Sequence, residues 1–297
     1  MTFSIIVVCL NAGDKLCMTI ESIQSQTEQD YEIIIKDGDS TDQTTLTYLS
    51  GYRHENNGDT MHGAESGNRI RIYCGKDSGI YDAMNQAVQY VRGDYVLFLN
   101  CGDSFYDSRV LEHVKEHILR AAEKDGQQDN GWQKLHSSDT LPSCYIFYGD
   151  IYERRTDTFV QSNPAIDDFA CYRNVPCHQA CFYDANLLRK KSFDTVYTVR
   201  ADYEHFLWCY YKAHAKTVYM PVTVAYYEGG GFSETRDNEK KSQQEHRQIV
   251  NKYLSPGKVR TYRLIMLVTL APVRTWLARN PVTARIYQGA KRRIYKK

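Results

Sequence analysis

Four short segments carry most of the polar chemistry in the first hundred residues: Asn11-Ala12-Gly13-Asp14, Asp37-Gly38-Asp39-Ser40-Thr41-Asp42, Gly75-Lys76-Asp77-Ser78-Gly79 and Asn100-Cys101-Gly102-Asp103. Each sets carboxylates or amides beside glycine, a composition that also makes ordinary turns. Further on, Arg200-Ala201-Asp202-Tyr203-Glu204 opens an apolar helical run through Phe206, Leu207 and Trp208. Asp202 there can cap the helix and complement its dipole, or take a proton as a general base. Pro176-Cys177-His178-Gln179-Ala180 combines a thiol, an imidazole and an amide, but no second pair of ligands follows Cys177, His178 and Cys181 at zinc-site spacing. Glu228-Gly229-Gly230-Gly231-Phe232-Ser233 is open to two readings, a backbone free to close over a diphosphate or a flexible link to the C-terminal helices.

Apolar, β-branched runs and helical patterns alternate ahead of these segments. Strands are predicted at 4–9, 31–36, 70–74 and 95–99, with helices at 14–25, 41–50 and 79–92 between them. That alternation implies a parallel sheet with right-handed crossovers, and ligands of such sheets lie beyond the carboxyl ends of the strands. All four polar segments directly follow a strand, so they converge on one edge of one sheet. Polar insertions at 51–68 and 125–143 read as surface loops. The second half is predicted to hold strands at 145–152 and 180–183, helices at 184–190, 201–213 and 237–253, and a strand-like stretch 217–227 split at Pro221.

Composition narrows the function classes. The chain has 297 residues, 42% of them hydrophobic, which suffices for a substantial core and excludes a disordered or disulfide-scaffold protein. A net charge of +1 argues against a surface devoted to nucleic acid. The charge is unevenly placed, however: eleven Lys and Arg residues and no acidic one lie in 257–297. Nine cysteines without a CxxC pair read as reduced thiols, as in a cytoplasm. No signal peptide is expected at the N-terminus and no stretch is long enough to span a membrane. The tail mixes its basic residues with Leu264, Leu267, Val268, Val273, Trp276 and Leu277. This pattern reads either as attachment to an anionic bilayer surface or as a helix pair packed on the body of the protein. Asn11-Ala12-Gly13-Asp14 lacks GxGxxG spacing, which disfavours a dinucleotide-dependent oxidoreductase.

Ser4-Ile5-Ile6-Val7-Val8-Cys9-Leu10-Asn11, the Asp37–Asp42 turn, Asp77-Ser78-Gly79-Ile80-Tyr81-Asp82-Ala83-Met84-Asn85, and Gly93-Asp94-Tyr95-Val96-Leu97-Phe98-Leu99-Asn100-Cys101-Gly102-Asp103 together resemble family 2 glycosyltransferases. The resemblance covers about residues 3–235 and is nearest to bacterial transferases of capsule, exopolysaccharide and O-antigen assembly. It implies an α/β GT-A fold, a Rossmann-like nucleotide-diphospho-sugar transferase fold, over 1–235. A donor half at about 1–105 and an acceptor half at about 106–235 are expected, with a basic helical appendage at 236–297. The implied activity is inverting transfer from a nucleotide-sugar, UDP favoured, to a hydroxyl of a glycan or lipid-linked saccharide, assisted by Mn2+ or Mg2+. The implied setting is the cytoplasmic side of the plasma membrane, with membrane contact through the tail. Alternatives of the same fold are a polyprenyl-phosphate transferase and a non-catalytic nucleotide-sugar or glycan-binding module.

Residue by residue, the resemblance places Asp37 on the nucleotide base, where a carboxylate accepts from a uracil or guanine N–H. It places Asn11, Asp77, Asn85 and Asn100 along the donor cleft, and His178 and Gln179 beside the sugar and acceptor. Asp103 is the metal ligand, in a segment where the family's Asp-x-Asp pattern has become Asn100-Cys101-Gly102-Asp103. Asp202 is the general base, with Glu204 beside the acceptor as its fallback.

Overall fold

The computed structural model describes residues 1–54, 69–128, 144–229 and 236–270, together with 283 and 286. The insertions expected at 51–68 and 125–143 fall mostly outside these residues, as do most of the glycine run after Glu228 and the tail residues Val273, Trp276 and Leu277.

The first half alternates as its sequence pattern requires. Strands β1 (Phe3–Cys9), β2 (Tyr31–Asp37), β3 (Ile70–Cys74) and β4 (Tyr95–Phe98) are separated by helices α1 (Asp14–Gln24), α2 (Gln43–His54) and α3 (Ile80–Val88). β1 pairs in parallel with β2 and β4, and β2 with β3. The registers Cys9↔Asp37 and Asp37↔Cys74 bring the strand ends level. The backbone N–H groups of Gly38, Gly75 and Leu99 extend these ladders to Cys9, Asp37 and Ile6. The polar segments therefore leave the sheet side by side.

Every residue of β1 is buried, as in a parallel strand covered on both faces. Phe3, Ile5 and Val7 join one core with Leu16, Ile20 and Ile23 of α1. Ile6 and Val8 join a second core with Tyr81, Met84 and Ala87 of α3.

Beyond β4 the chain adds β5 (Ser104–Phe105), α4 (Val110–Gln128), β6 (Tyr145–Glu153), β7 (Thr158–Val160) and α5 (Asp168–Arg173). A single 3-10 turn, His178–Ala180, leads into β8 (Cys181–Asp184), and α6 (Ala185–Lys190), α7 (Ala201–Tyr211) and β9 (Lys216–Tyr227) follow. The sheet order is β3-β2-β1-β4-β8-β6-β9-β5, with β7 on β6. β8 runs antiparallel to β4, pairing Val96 with Tyr183, and antiparallel to β6 on its other side. This reversal delivers residues 178–180 to the edge where Asn100 leaves β4. Helices α8 (Arg236–Tyr253) and α9 (Pro256–Val268) follow β9.

Two expectations are corrected. The helix predicted over 79–92 ends at Val88, where Tyr90 stacks on Tyr73 at 3.5 Å and its carbonyl accepts from Arg71 at 2.8 Å. The stretch 217–227 is one strand and is not split. Register shifts against Tyr148, Asp150 and Ile151 leave β9 with extra residues around Pro221, so the missing N–H costs no ladder bond. Gly149 faces this bulge, and a Cβ there would overlap the carbonyl oxygen of Val222. All nine cysteines are free thiols.

Candidate active site

Five of the residues singled out in the sequence meet where β4 ends and β8 begins. Asn100 Nδ2 lies 3.0 Å from His178 Nε2, and His178 Nδ1 lies 2.9 Å from Asp202 Oδ2. The other Asp202 oxygen, Oδ1, accepts from Tyr81 Oη and from the backbone N–H of Tyr203, both at 2.8 Å. Asn100, His178, Asp202 and Tyr81 thus form one hydrogen-bonded row drawn from the β4 edge, the 3-10 turn, α7 and α3. The Asn100 Oδ1 atom, buried at the end of the row, has no hydrogen-bond partner.

Beside the row, Asp103 is 4% exposed. Its Oδ1 accepts from the backbone N–H of Glu228 at 2.9 Å and its Oδ2 from Gln179 Nε2 at 2.8 Å. Gln179, expected beside the acceptor, is itself buried, and its other amide atom accepts from the Cys177 thiol. Gly102 sits at φ +98°, and a Cβ there would strike the Glu228 carboxylate, so glycine permits this close approach. Glu228 is in turn paired with Lys15 at 2.8 Å.

The electrostatics of the two aspartates differ. Burial pushes the Asp103 carboxyl above its ordinary value, against the pull of the Glu228 N–H and the Gln179 amide. Burial also acts upward on Asp202, but hydrogen bonds from His178, Tyr81 and the Tyr203 N–H outweigh it and hold that carboxyl below its ordinary value. Burial and the neighbouring Asp202 charge push the Tyr81 phenol well up, so it remains a donor.

Asn11, Asp37 and Asp77 gather at the ends of β1, β2 and β3. Asp37 receives the Ser40 hydroxyl at 2.5 Å and the Ser40 N–H, so its buried carboxylate organises the turn it opens. Asn11, at φ +50°, accepts from the N–H groups of Thr41 at 2.8 Å and Asp42 at 3.1 Å, tying β1's loop to that turn. Asp77 accepts from the Gly79 N–H at 3.0 Å and pairs with Lys36 Nζ at 3.5 Å.

Two assigned residues lie elsewhere. Asn85 donates to the Phe193 carbonyl at 2.9 Å and accepts from the Phe193 N–H at 2.8 Å, so both ends of its amide are spent on backbone away from the donor loops. Glu204 is fully buried and bound by Lys191, by Lys252 at 2.8 Å and by Tyr253 Oη at 2.5 Å. Two residues along a helix differ by about 200° in direction. Glu204 therefore faces Lys252 and Tyr253 of α8, while Asp202 faces His178.

Three residues escape the sequence reading. Tyr81 carried a signal, since it shares the buried face of α3 with Met84 and Ala87. Lys36 carried another, a charge closing the apolar run Ile33-Ile34-Ile35; it is 2% exposed and donates to the carbonyls of Asp37 and Gly75. Glu245 carried none. Its carboxylate accepts from the N–H groups of Thr198, Val199 and Arg200 at 2.9–3.0 Å, setting the entry into α7 and with it Asp202.

For a divalent cation the site offers little protein ligation. Among the described residues no three His, Cys, Asp or Glu side chains are grouped to hold one. Asp103 supplies a single carboxylate whose two oxygens each accept one neutral hydrogen bond. This donor set fits an ion held mainly by phosphates and water, as Mg2+ often is, and does not fit an ion caged by the protein.

Residues 4–194 match the family model described as glycosyl transferase family 2. The chain is 32% identical over 240 residues to a PGL/p-HBAD biosynthesis glycosyltransferase of Mycobacterium bovis, covering 78% of this chain and 79% of that one. It is 30% identical over 217 residues to the Escherichia coli UDP-Glc:alpha-D-GlcNAc-diphosphoundecaprenol beta-1,3-glucosyltransferase WfaP, covering 67% and 77%. The fold is similar to that of the mannosyltransferase PcManGT from Pyrobaculum calidifontis, solved with GDP-Man and Mn2+. That match has a TM-score of 0.59 at 15% identity and covers 99% of this chain and 81% of the other.

Proposed function

Since the chain belongs to glycosyl transferase family 2, we propose that it transfers a sugar with inversion from a UDP-sugar to a hydroxyl of a lipid-linked saccharide during surface polysaccharide assembly. One observation carries this reading. A single sheet edge joins donor-side groups, Asn100 and Asp103, to acceptor-side groups, His178 and Asp202. In the donor half, Asn11, Asp37 and Asp77 shape the loops that hold the nucleotide, and Lys36 fixes Asp77. In the acceptor half, the Asp202–His178 pair receives the proton of the attacking hydroxyl. Attack opposite the leaving diphosphate inverts the anomeric centre. Asp103 would hold Mn2+ or Mg2+ together with the diphosphate oxygens. Such an ion supplies Lewis-acid neutralisation of the departing charge.

A UDP donor and a diphospholipid acceptor are favoured by the WfaP relationship, since that relative's name carries both. A membrane-surface acceptor also suits α9, which exposes Leu264, Leu267 and Val268 near Lys258, Arg260 and Arg263. No helix among the described residues is long and apolar enough to cross a membrane. We place the enzyme at the inner face of the plasma membrane.

Calorimetry with UDP and GDP, with and without Mn2+, on the wild type and Asp103→Ala tests the donor side. The expected result is metal-enhanced binding of UDP, weakened at least tenfold in the variant. Absence of binding by either nucleotide would refute the donor assignment. Transfer is tested with UDP-glucose and a synthetic GlcNAc-diphospholipid.

A further inference from the structure

Helix α7 carries Asp202 in its first turn, yet it has no cap of its own. Arg200 stands at the N-cap with φ −129° and ψ 29°, and its side chain accepts no hydrogen bond from the helix. The N–H groups at the entry therefore need a partner from elsewhere. We propose that Glu245 of α8 is a positioning residue for the acceptor step: its carboxylate fixes the backbone entering α7 and so holds Asp202 against His178. The inference rests on the transferase reading above and makes α8 part of the catalytic unit.

The buried Glu245 carboxylate accepts from three successive backbone N–H groups. Oε1 takes that of Thr198 at 3.0 Å, and Oε2 takes those of Val199 at 3.0 Å and Arg200 at 2.9 Å. Other contacts clamp the same segment. The Val199 carbonyl accepts from Tyr81 Oη at 2.9 Å, and the same phenol donates to Asp202 Oδ1 at 2.8 Å. Arg200 Nε donates at 2.7 Å to the hydroxyl of Ser242, one turn ahead of Glu245 on α8.

Helix α8 is itself firmly seated. Ile249 and Val250 are buried in the core that holds Phe206 and Leu207 of α7. Lys252 and Tyr253, two turns beyond Glu245, bind the buried Glu204. α8 thus grips α7 at two points, the N–H groups that enter the helix and the residue two places after Asp202. A shift of the entry by an ångström would move the Asp202 carboxylate relative to His178 and the acceptor hydroxyl, and misplacement of that size costs about 10²-fold in rate. The donor-side carboxylates are held by other elements: Asp37 by Ser40, Asp77 by Lys36 and Asp103 by Gln179. Loss of Glu245 should therefore spare the nucleotide site.

The test uses the full chain carrying Glu245→Ala, Glu245→Gln or, as a control for lowered stability, Ile118→Ala in α4, in the core on the opposite face of the sheet. UDP calorimetry counts folded donor sites, and transfer from UDP-glucose to the GlcNAc-diphospholipid is expressed per such site. Glu245→Ala is expected to lose about 10²-fold in kcat, with UDP affinity and the KM for UDP-glucose within twofold of wild type. Glu245→Gln, which keeps one acceptor oxygen, is expected to fall between the two. Ile118→Ala should keep the wild-type kcat at a lower melting temperature. A kcat within twofold of wild type in both Glu245 variants overturns the inference. So does an equal loss in Ile118→Ala, which would make stability the cause. Should Glu245→Ala bind no UDP, Glu245→Gln decides by the same criteria.

A second measurement needs no substrate. Long-range 1H–15N correlation spectra of 15N-histidine-labelled protein report the His178 ring, identified by its loss in His178→Gln. Its signals are expected to move in both Glu245 variants and to stay in place in Ile118→Ala, and unmoved signals overturn the inference. A wild type that binds neither UDP nor GDP and does not turn over UDP-glucose refutes the transferase reading itself. The histidine spectra then still decide whether Glu245 holds Asp202 on His178.

Discussion

Asn85 illustrates how a polar side chain is committed by its neighbours. Its amide closes two hydrogen bonds with the backbone of Phe193, whose ring packs on Tyr81 and Phe98. Asn85→Ala leaves a part-buried N–H and carbonyl without partners, at a cost of about 1–3 kcal/mol. The expected result is a lower denaturant midpoint with UDP affinity unchanged within twofold, read by urea unfolding and calorimetry. Asn100, His178 and Asp202 were legible in the sequence because each stands in a recognisable local segment, and the fold brings those segments to one edge. Asn85, Gln179 and Glu204 were not legible in the same way. Their partners, Phe193, Asp103 and the Lys191, Lys252 and Tyr253 group, lie in other segments, and no local pattern announces such pairings.

Helix α7 turns Asp202 toward His178 on one side and Glu204 toward Lys191 and Lys252 on the other. Next to Glu204 lies His205, fully buried, with Nε2 against the Lys191 carbonyl at 2.9 Å and Nδ1 against the Cys209 thiol at 3.6 Å. Burial pushes its pKa down to about 4. The folded value lies below the ordinary value of 6.5, so the unfolded chain binds the proton first as pH falls. Stability from this residue is complete above pH 6.5 and declines toward pH 4, by about 3 kcal/mol. Urea midpoints measured between pH 7 and 4.5 should fall more steeply for the wild type than for His205→Gln. Strand β9 supplies a second case. From sequence its bulge at Pro221 reads as a break, because a proline inside a strand signals a bulge or an end equally well. Gly149→Ala drives a Cβ into the Val222 carbonyl, and thermal melting should show a loss of about 1–3 kcal/mol. The strands of the first half were legible because runs such as Ile33-Ile34-Ile35 are buried on both faces. The two-residue β5 and three-residue β7 hold too few positions for any periodicity.

At the scale of the whole molecule, helix α9 is anchored in its first half and exposes apolar side chains in its second. Tyr262 packs on Phe169 and Tyr172, and Lys258 pairs with Asp168, whereas Leu264, Leu267 and Val268 are 60–74% exposed. Leu264→Glu with Leu267→Glu should abolish co-sedimentation with phosphatidylglycerol vesicles while leaving the melting temperature within about 2 °C, since neither side chain supports the body. Retained sedimentation would mean that these leucines are not the contact. The path of β8 has a different consequence. By chain order it belongs to the second half of the sheet, yet it is hydrogen-bonded to β4 on one side and β6 on the other. The segments before and after residue 105 therefore share one sheet through β8. A chimera joined near residue 105 must graft a foreign β8 onto this β4, and with it a foreign 3-10 turn beside Asn100. On the proposed division into donor and acceptor halves, a change in either specificity is expected to require that this four-residue strand keep both of its pairings.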